Sequence, residues 1–472
     1  MKGLTAFLAA AALLFACTKA PEPYGPVPSP GQLAWQKMEM NMFCHFGPNT
    51  FSGLEWGNGT EPEDIFNPGM MDCGQWVEVA KAGGFGGIII TAKHHDGFCL
   101  WPNPVSSHTV AQSSWRDGKG DVLKDLSEAC AAGGVKFGVY VSPWDRNAPE
   151  YGTDAYNEVF RRTLEDVHTR YGAIFEQWFD GACGEGPDGR KQVYDWPLFH
   201  QEVRKHNPDA VIFSDVGPGC RWMGNERGIA GRTNWSRLDV EGFGPGAGAP
   251  PRDTLSEGNV HGAAWIPAEV DVSIRKGWFW HEDDAPKSLQ DLLGIYYTSV
   301  GRNGLLLLNI PPDSRGLVCP EDSARVVEFR SALDHIFARN LAEGATVTAD
   351  VTRGRAFRAS NVLDPDYDRY WAAPDGCSSA SITLELPEAR IFNRILLKEY
   401  IPLGQRIAAF RIEARHGQGE WTAIASETTV GYKRIVLVDD CCADAVRIVI
   451  EDALACPVLN GVELYYDDIY KL

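Results

Sequence analysis

The chain has 472 residues, of which 44% are hydrophobic and 23% charged, a composition typical of folded globular domains. Its 63 acidic and 44 basic residues give a formal net charge of -19, which disfavours nucleic acid or any other polyanion as a partner. The length predicts one large domain or two to three smaller ones.

The first 16 residues predict a signal peptide, because the apolar stretch from Leu4 to Phe15 is too short to cross a bilayer. The stretch continues into Ala16-Cys17, which resembles a bacterial lipobox and implies lipid attachment at Cys17. A plain secretory signal cleaved near Ala16 is the alternative. The Pro-rich residues 17–30 predict an extended tether. We therefore expect an exported periplasmic or cell-surface lipoprotein of a bacterium, with a membrane contact only through the lipid anchor.

Residues 31–340 alternate short apolar runs with amphipathic stretches, the pattern of repeated β-α units. The runs at 86–92, 135–141 and 304–310 are almost wholly apolar, as parallel strands buried on both faces must be. Polar residues follow several runs, and no glycine-rich phosphate loop follows the first. The α/β pattern therefore favours a catalytic (β/α)8-like barrel over a doubly wound sheet.

Residues 345–472 have a different pattern, in which short β-branched segments are separated by turn residues. This pattern predicts an all-β sandwich domain. The motifs Asn361-Val-Leu-Asp364, Tyr370-Trp371 and Asn393-Arg-Ile-Leu-Leu-Lys-Glu399 resemble the discoidin, or coagulation factor type C, fold. Since modules of that family either bind sugars or brace a catalytic domain, a second glycan contact and a structural role both stay open.

Polar and aromatic side chains follow the predicted barrel strands, at positions that project into the mouth where barrels bind ligands. His45 follows the first strand, His94 and His95 the second, and Asp180 comes after Trp178 at the end of the fourth. Imidazoles and indoles around an acid suit a neutral sugar, because they donate to hydroxyls and cover its apolar face. The sequence thus predicts a carbohydrate site.

Asp180 is either a nucleophile or a cap of the following segment. A retaining glycosidase needs a second carboxyl group about 5 to 5.5 Å from its nucleophile. Glu226 is slightly favoured, because its loop contains Trp222 and partial burial there raises a carboxyl pKa towards that of a proton donor. The candidates for this second group are Glu185, Asp215, Glu226, Glu241 and Asp271.

Five motifs together resemble the α-L-fucosidases of glycoside hydrolase family 29. They are His45-Phe-Gly, Glu55-Trp56, Lys93-His-His-Asp-Gly-Phe98, Trp178-Phe-Asp-Gly181 and Gly224-Asn-Glu226, and the resemblance spans roughly residues 31–340. It implies a retaining exo-glycosidase that releases terminal α-L-fucose from fucosylated glycans without a cofactor, with Asp180 as nucleophile. The implied sugar-binding residues are His45, Glu55, Trp56, His94, His95, Tyr140, Trp178 and Trp278, with Trp280 as a weaker choice than Trp278.

The Gly-Asn-Glu context of Glu226 resembles the subgroup that prefers α-1,3 and α-1,4 fucosides, and on that resemblance Glu226 is the acid/base. Three alternatives stay open. A related exo-glycosidase with relaxed specificity, for example for galactosides, differs in recognising one hydroxyl. A non-catalytic glycan-binding lipoprotein would not need both Asp180 and Glu226. A metal-dependent hydrolase is suggested by His94-His95-Asp96, but the sequence lacks zinc-type Cys pairs and His-x-His spacing, so no metal is expected.

Overall fold

The computed structural model describes residues 19–246 and 248–470. The described residues form two compact units: one contains Pro28–Ala338 with 468–470, and the other contains 19–27 with Arg339–Asp467. The predicted signal peptide and Cys17 lie outside the described residues. Among the described residues, no helix has the length and apolar character needed to cross a bilayer.

The first unit is built on a closed barrel of eight parallel strands, as the sequence predicts. The unit has ten described strands: β1 (Met40–Cys44), β2 (Gly87–Lys93), β3 (Lys136–Val141), β4 (Ile174–Trp178), β5 (Val211–Ser214), β6 (Cys220–Trp222), β7 (Arg237–Leu238), β8 (Ala264–Trp265), β9 (Ala268–Ser273) and β10 (Gly304–Asn309). The barrel order is β1-β10-β9-β6-β5-β4-β3-β2, while β7 and β8 form a separate antiparallel pair. The (β/α)8-like prediction is therefore confirmed.

Nine described helices belong to this unit, and several begin and end at residues whose chemistry explains the boundary. They are α1 (Pro30–Gln36), α2 (Pro48–Ser52), α3 (Cys73–Gly83), α4 (Val122–Gly133), α5 (Asp154–Arg170), α6 (Trp196–His206), α7 (Arg252–Glu257), α8 (Leu289–Thr298) and α9 (Pro320–Ile336). The Asp121 side chain caps α4 by accepting from Lys124 N, and Gly134, with φ of 72°, ends that helix. Such turns return the chain to the next strand.

The barrel interior is filled by side chains and is not a pore. Phe43, Ile89, Phe213 and Leu307 come from four different strands and form one buried cluster. Because this cluster closes the interior, the polar residues after each strand are left at the carboxyl ends, where they can meet a ligand.

The second unit is all-β, as predicted. Its strands are β11 (Thr346–Ala349), β12 (Trp371–Ala372), β13 (Ala380–Glu399), β14 (Ile407–Arg415), β15 (Thr422–Glu427), β16 (Arg434–Ala453) and β17 (Val458–Tyr465), all paired antiparallel in one seven-stranded sheet. The register between β13 and β16 shifts twice, and such irregularities bend strands. Trp371, Phe392 and Phe410 lie in a shared buried core.

Residues 19–27, part of the predicted tether, have no helix or strand and bond to this second unit. Tyr24 N donates to Leu403 O at 3.0 Å, and the Arg353 guanidinium donates to Lys19 O at 2.8 Å. Arg406 likewise donates to Glu22 O at 2.5 Å. A proline-rich segment cannot pair its own main-chain carbonyls, and here arginines donate to them. Residues 19–27 are therefore hydrogen-bonded to this unit rather than forming a flexible tether.

Candidate active site

Asp180 lies two residues after the end of β4, at the carboxyl end of the barrel. Its Oδ2 accepts a hydrogen bond from the Tyr140 hydroxyl at 3.1 Å, and its Oδ1 accepts from Ala182 N at 2.7 Å. His95 Nε2 is 3.7 Å from Oδ2, and 29% of the Asp180 side chain is exposed. The carboxylate is therefore held in one orientation by two donors and still reachable from solvent.

Three buried histidines surround this carboxylate on one side. The ring centroids of His94 and His95 are 4.2 Å apart, and those of His45 and His94 are 5.9 Å apart. Side chains of adjacent strand residues point to opposite faces, but β2 ends at Lys93, so both His94 and His95 lie past the strand. Because the strand has ended, two consecutive histidines can reach the same site.

Hydrogen bonds from neighbouring residues orient two of these rings. His45 Nδ1 lies 2.9 Å from Asn309 Oδ1, and this amide oxygen accepts a hydrogen bond from the ring N–H. His95 Nδ1 lies 2.8 Å from Ser142 Oγ, and that hydroxyl donates to Trp144 O. Each ring then carries its proton on Nδ1 and presents an Nε2 acceptor, the atom a sugar hydroxyl can donate to.

Burial keeps the histidines neutral. It lowers the pKa of His45 to about 3 and that of His95 to about 4, although Asn309 and Asp180 respectively act in the opposite direction. Burial also lowers the pKa of His94 well below its usual value, and the neighbouring His95 and His45 add to this. Neutral imidazoles suit an uncharged polyhydroxyl ligand.

The opposite side of the site joins Glu55 and Glu226 through one tryptophan. Glu55 Oε2 accepts from Trp278 N at 2.8 Å, and its Oε1 lies 2.7 Å from His281 Nε2. The indole of Trp278 donates to Glu226 Oε2 at 3.2 Å. The ring of Trp278 also lies 4.9 Å from that of His45, so this wall is continuous with the histidine wall.

The pKa of Glu226 is raised, first by partial burial of its carboxyl group and then by the charge of Asp180. Trp278 and Arg252 oppose this shift, and Glu55 adds to it. Glu226 thus feels the negative charge of Asp180 across the site. A carboxyl group whose pKa is raised in this way is suited to donate a proton.

The structure separates the other carboxyl candidates. Asp215 lies directly against Gly181, and burial raises its pKa to about 6 with a further contribution from Asp180. Asp271 is fully buried in β9, where burial and the charges of Glu226 and Asp180 raise its pKa. Glu185 and Glu241 are exposed in loops. Asp215 and Asp271 therefore belong to the same acidic neighbourhood as Asp180.

Two of the predicted aromatic residues occupy different environments. Trp56 is 57% exposed, with its ring edge-on to those of His95 and Trp144, both 5.7 Å away. Trp178 is only 7% exposed, and its indole donates to Glu269 Oε2 at 2.9 Å inside the barrel. Trp178 therefore lies in the barrel interior beside Tyr140, because the last residue of β4 points inward.

The alternative metal site at His94-His95-Asp96 has no support from the geometry. Asp96 is buried and accepts hydrogen bonds from Phe98 N at 2.7 Å and from the Asn49 amide at 3.3 Å. Within residues 19–246 and 248–470, none of the groups of closely spaced ligand-type side chains includes these three residues.

Three residues that support the site are not predicted by the sequence. The side chain of Asn309 accepts a hydrogen bond from His45 Nδ1 and donates to Ser273 Oγ and Trp278 O. It therefore joins both walls of the site. Ser142 and His281 orient His95 and Glu55 in the same way. A signal for Asn309 was present, since this single polar residue ends the apolar run Leu305-Leu-Leu-Leu308.

Known proteins share this architecture. The α-L-fucosidase family model matches residues 34–333, more than half of the chain. Arabidopsis thaliana α-L-fucosidase 1 is 43% identical over 95% of this chain and 89% of its own length. A putative α-L-fucosidase 1 of Oryza sativa subsp. japonica is 44% identical over 95% of this chain and 87% of its own length. The solved structure of a Ruminococcus gnavus GH29 fucosidase in complex with fucose is 31% identical, with a TM-score of 0.87 over 96% of this chain and 97% of that one.

These comparisons contradict the predicted location as an exported bacterial lipoprotein, because two curated relatives that each match 95% of the chain come from plants. The prediction rested on an apolar stretch and one cysteine, and such a stretch is a generic feature of N-terminal targeting segments. The match across residues 34–333 and the histidine-lined site agree on one conclusion. The chain belongs to the α-L-fucosidase family, glycoside hydrolase family 29.

Proposed function

We propose that this chain is a retaining exo-α-L-fucosidase that releases terminal fucose from α-1,3- and α-1,4-linked glycans. The observation that carries the proposal is that two carboxyl groups lie at the mouth of one barrel. Asp180 is held by two donors, and the pKa of Glu226 is raised by partial burial and by the charge of Asp180. The fucose complex of the Ruminococcus gnavus relative supports fucose as the ligand of this site.

In the first step, Asp180 attacks the anomeric carbon while Glu226 protonates the glycosidic oxygen of the leaving group. Partial burial and the charge of Asp180 raise the pKa of Glu226, which favours the protonated form that this task needs. The bond from the Tyr140 hydroxyl fixes the direction in which the carboxylate approaches. The product of this step is a glycosyl ester on Asp180.

In the second step, Glu226, now ionised, removes a proton from water, which attacks the ester and releases fucose with its original configuration. The transition state of each step carries positive charge near the ring oxygen. Ionised Asp180 stabilises this charge, and the neutral histidines His45, His94 and His95 hold the ring hydroxyls. Glu55, Trp56 and Trp278 complete the pocket for fucose.

The linkage preference rests on the sequence around Glu226, Gly224-Asn225-Glu226, which resembles the subgroup with that specificity. For the second unit we propose a discoidin-like fold. Its antiparallel strands and the register shifts between β13 and β16 agree with that fold. A second glycan contact on this unit can be tested with the purified Asp180→Asn variant of the full chain. With excess fucose occupying the barrel site, any remaining binding of fucosylated glycans would indicate a second contact.

The test of the proposed function is hydrolysis of a panel of α-1,2, α-1,3, α-1,4 and α-1,6 fucosides, with proton NMR of the first anomer released. The proposal expects α-fucose as the first product and the highest kcat/KM for the α-1,3 and α-1,4 linkages. A fluorinated fucoside should trap an ester on Asp180, detectable by peptide mass spectrometry. Initial release of β-fucose, or a label on another residue, would refute the mechanism.

A further inference from the structure

Two glutamates lie close together inside the barrel, beneath the site. Glu176 of β4 and Glu269 of β9 are both fully buried. One carboxylate oxygen of each and the sulfur of Cys220 in β6 all lie within 4.8 Å of one another. Among the described residues, neither carboxylate forms an ion pair with a lysine, arginine or histidine. The pair thus has no counter-charge.

The hydrogen bonds around the pair are uneven. Glu176 Oε2 accepts from the Trp35 indole at 2.8 Å, and its Oε1 accepts from the Cys220 thiol at 3.9 Å. Glu269 Oε2 accepts from the Trp178 indole at 2.9 Å. Glu269 Oε1 is buried with no donor among the described residues. An acceptor without a donor, and two like charges without a cation, are both costly in a dry interior.

One proton removes both costs. We propose that Glu176 and Glu269 share a single proton, carried on Oε1 of Glu269 and donated to Glu176, and that this pair positions the end of β4 for catalysis. Glu176 then receives three donors, and the remaining oxygen of Glu269 accepts from Trp178. Glu176 and Glu269 are positioning residues in this account, since neither touches the substrate.

The path from this pair to the nucleophile is short. The ring of Trp178 stacks on that of Phe213 at 4.0 Å and 6°, and lies 4.9 Å from the ring of Tyr140. The hydroxyl of Tyr140 donates to Asp180, two residues after Trp178. Fixing the indole therefore fixes both the donor and the backbone of Asp180. The catalytic consequence rests on the proposed role of Asp180 as nucleophile.

Other titratable groups near the pair do not supply a charge. Burial raises the pKa of the Cys220 thiol and that of the Asp271 carboxyl well above their usual values. Burial likewise raises the pKa of Glu176 to about 7, and that of Glu269 further, with Glu176 adding to the shift. Arg221, beside Cys220, donates to Leu255 O and Asn234 instead.

Glu269→Gln and Glu269→Leu test the pair through activity. A glutamine amide donates to Glu176 as the shared proton does, and its oxygen accepts from Trp178. We expect this variant to keep kcat within about threefold, whereas the leucine variant should lose about tenfold or more in kcat with little change in KM. Cys220→Ala is the matched control, since it removes the weak thiol donor but keeps the shared proton, and should retain wild-type kcat. Equal losses in the glutamine and leucine variants would overturn the proposal.

The shared proton is also measurable without substrate. The infrared spectrum should contain the carbonyl stretch of a protonated carboxyl group that Glu269→Gln removes and Cys220→Ala keeps. Because the pKa of Glu269 is raised, unfolding releases its proton above about pH 4.5, so the Tm of the wild type should fall with rising pH more steeply than that of Glu269→Gln.

Absence of the carbonyl band, parallel Tm curves, or a stoichiometric metal ion in the purified protein would each overturn the shared proton. Asp180→Asn separates this inference from the proposed function. That variant should keep the carbonyl band and the Tm slope while losing turnover. An active Asp180→Asn enzyme that keeps the band would refute the nucleophile assignment and leave the proton pair standing.

Discussion

Replacing Tyr140 with phenylalanine tests whether the donor to Asp180 contributes to catalysis. The side chain is 1% exposed, and its hydroxyl donates to Asp180 Oδ2 at 3.1 Å, so Tyr140→Phe removes one of two donors while the ring still fills the same space. Burial raises the pKa of Tyr140, so the hydroxyl stays a donor at every pH of interest. A hydrogen bond to a charged group contributes about 1.5 to 3 kcal/mol.

If that free energy is lost from the transition state, kcat/KM falls by about 10- to 150-fold. The assay is the initial rate of hydrolysis of an aryl fucoside, with Tm measured in parallel. Little destabilisation is expected, because Asp180 is 29% exposed and water can replace the lost donor. A decrease in kcat/KM of less than threefold would refute the argument that this bond aligns Asp180 for its proposed role as nucleophile.

Tyr156→Phe is the matched control. Tyr156 is also 1% exposed, and its hydroxyl donates to Pro143 O at 2.9 Å rather than to a site carboxylate. This variant leaves a buried carbonyl without its donor, so it should lower stability by about 1 to 3 kcal/mol while kcat/KM stays near the wild-type value. The two variants therefore separate loss of a buried hydroxyl from loss of contact with Asp180.

Three further predictions concern the acid, a supporting amide and a buried histidine. Since the proposed acid must be protonated, Glu226→Gln should remove the fall of kcat/KM at high pH. It should also slow the hydrolysis of substrates with poor leaving groups by about 10²- to 10⁴-fold, and that of activated aryl fucosides by less. An unchanged pH profile would contradict the role of Glu226. Asn309→Leu leaves His45 N and Trp278 O without a partner, so it should reduce the free energy of unfolding by about 2 to 5 kcal/mol and raise KM, and an unchanged KM would argue against its role. Burial lowers the pKa of His168 to about 4, so below about pH 6.5 the unfolded chain binds a proton that the folded protein does not. Between pH 7 and 5, the free energy of unfolding in urea should therefore fall by about 2 kcal/mol more for the wild type than for His168→Gln. Equal decreases in the two proteins would refute this prediction.

The strands that the sequence predicts best are those buried on both faces. The apolar runs at 86–92, 135–141 and 304–310 correspond to β2, β3 and β10, because a continuous apolar run has no other stable place in a parallel barrel. β9 is different, since Ala-Glu-Val-Asp-Val-Ser alternates apolar and acidic residues in the way of a half-exposed strand. Its acidic residues Glu269 and Asp271 are buried instead, which only the tertiary structure shows.

The features of the candidate site likewise divide into those that the sequence predicts and those that only the tertiary structure shows. The positions of His45, His94, His95 and Asp180 are predictable because these residues follow the ends of β1, β2 and β4, and strand ends converge wherever a barrel closes. The contact between Trp278 and Glu226 joins residues 52 positions apart in two loops, and no local pattern predicts it. Asn309 lies on the last strand of the barrel and His45 after the first, so their hydrogen bond exists only because the barrel closes.

The roles of the carboxyl groups at the mouth follow from the donors around each one. Asp180 receives the Tyr140 hydroxyl and Ala182 N, whereas among the described residues no side chain donates to Asp215 or Asp271. Burial without such donors raises the pKa of these two acids, and donors stabilise an anion where they converge. The raised pKa values make these two neighbours poorer anions than ordinary aspartates, whereas Asp180 is held by two donors. Tyr140 supplies one of these two donors, so its loss should slow the proposed attack by Asp180 without changing the fold around it.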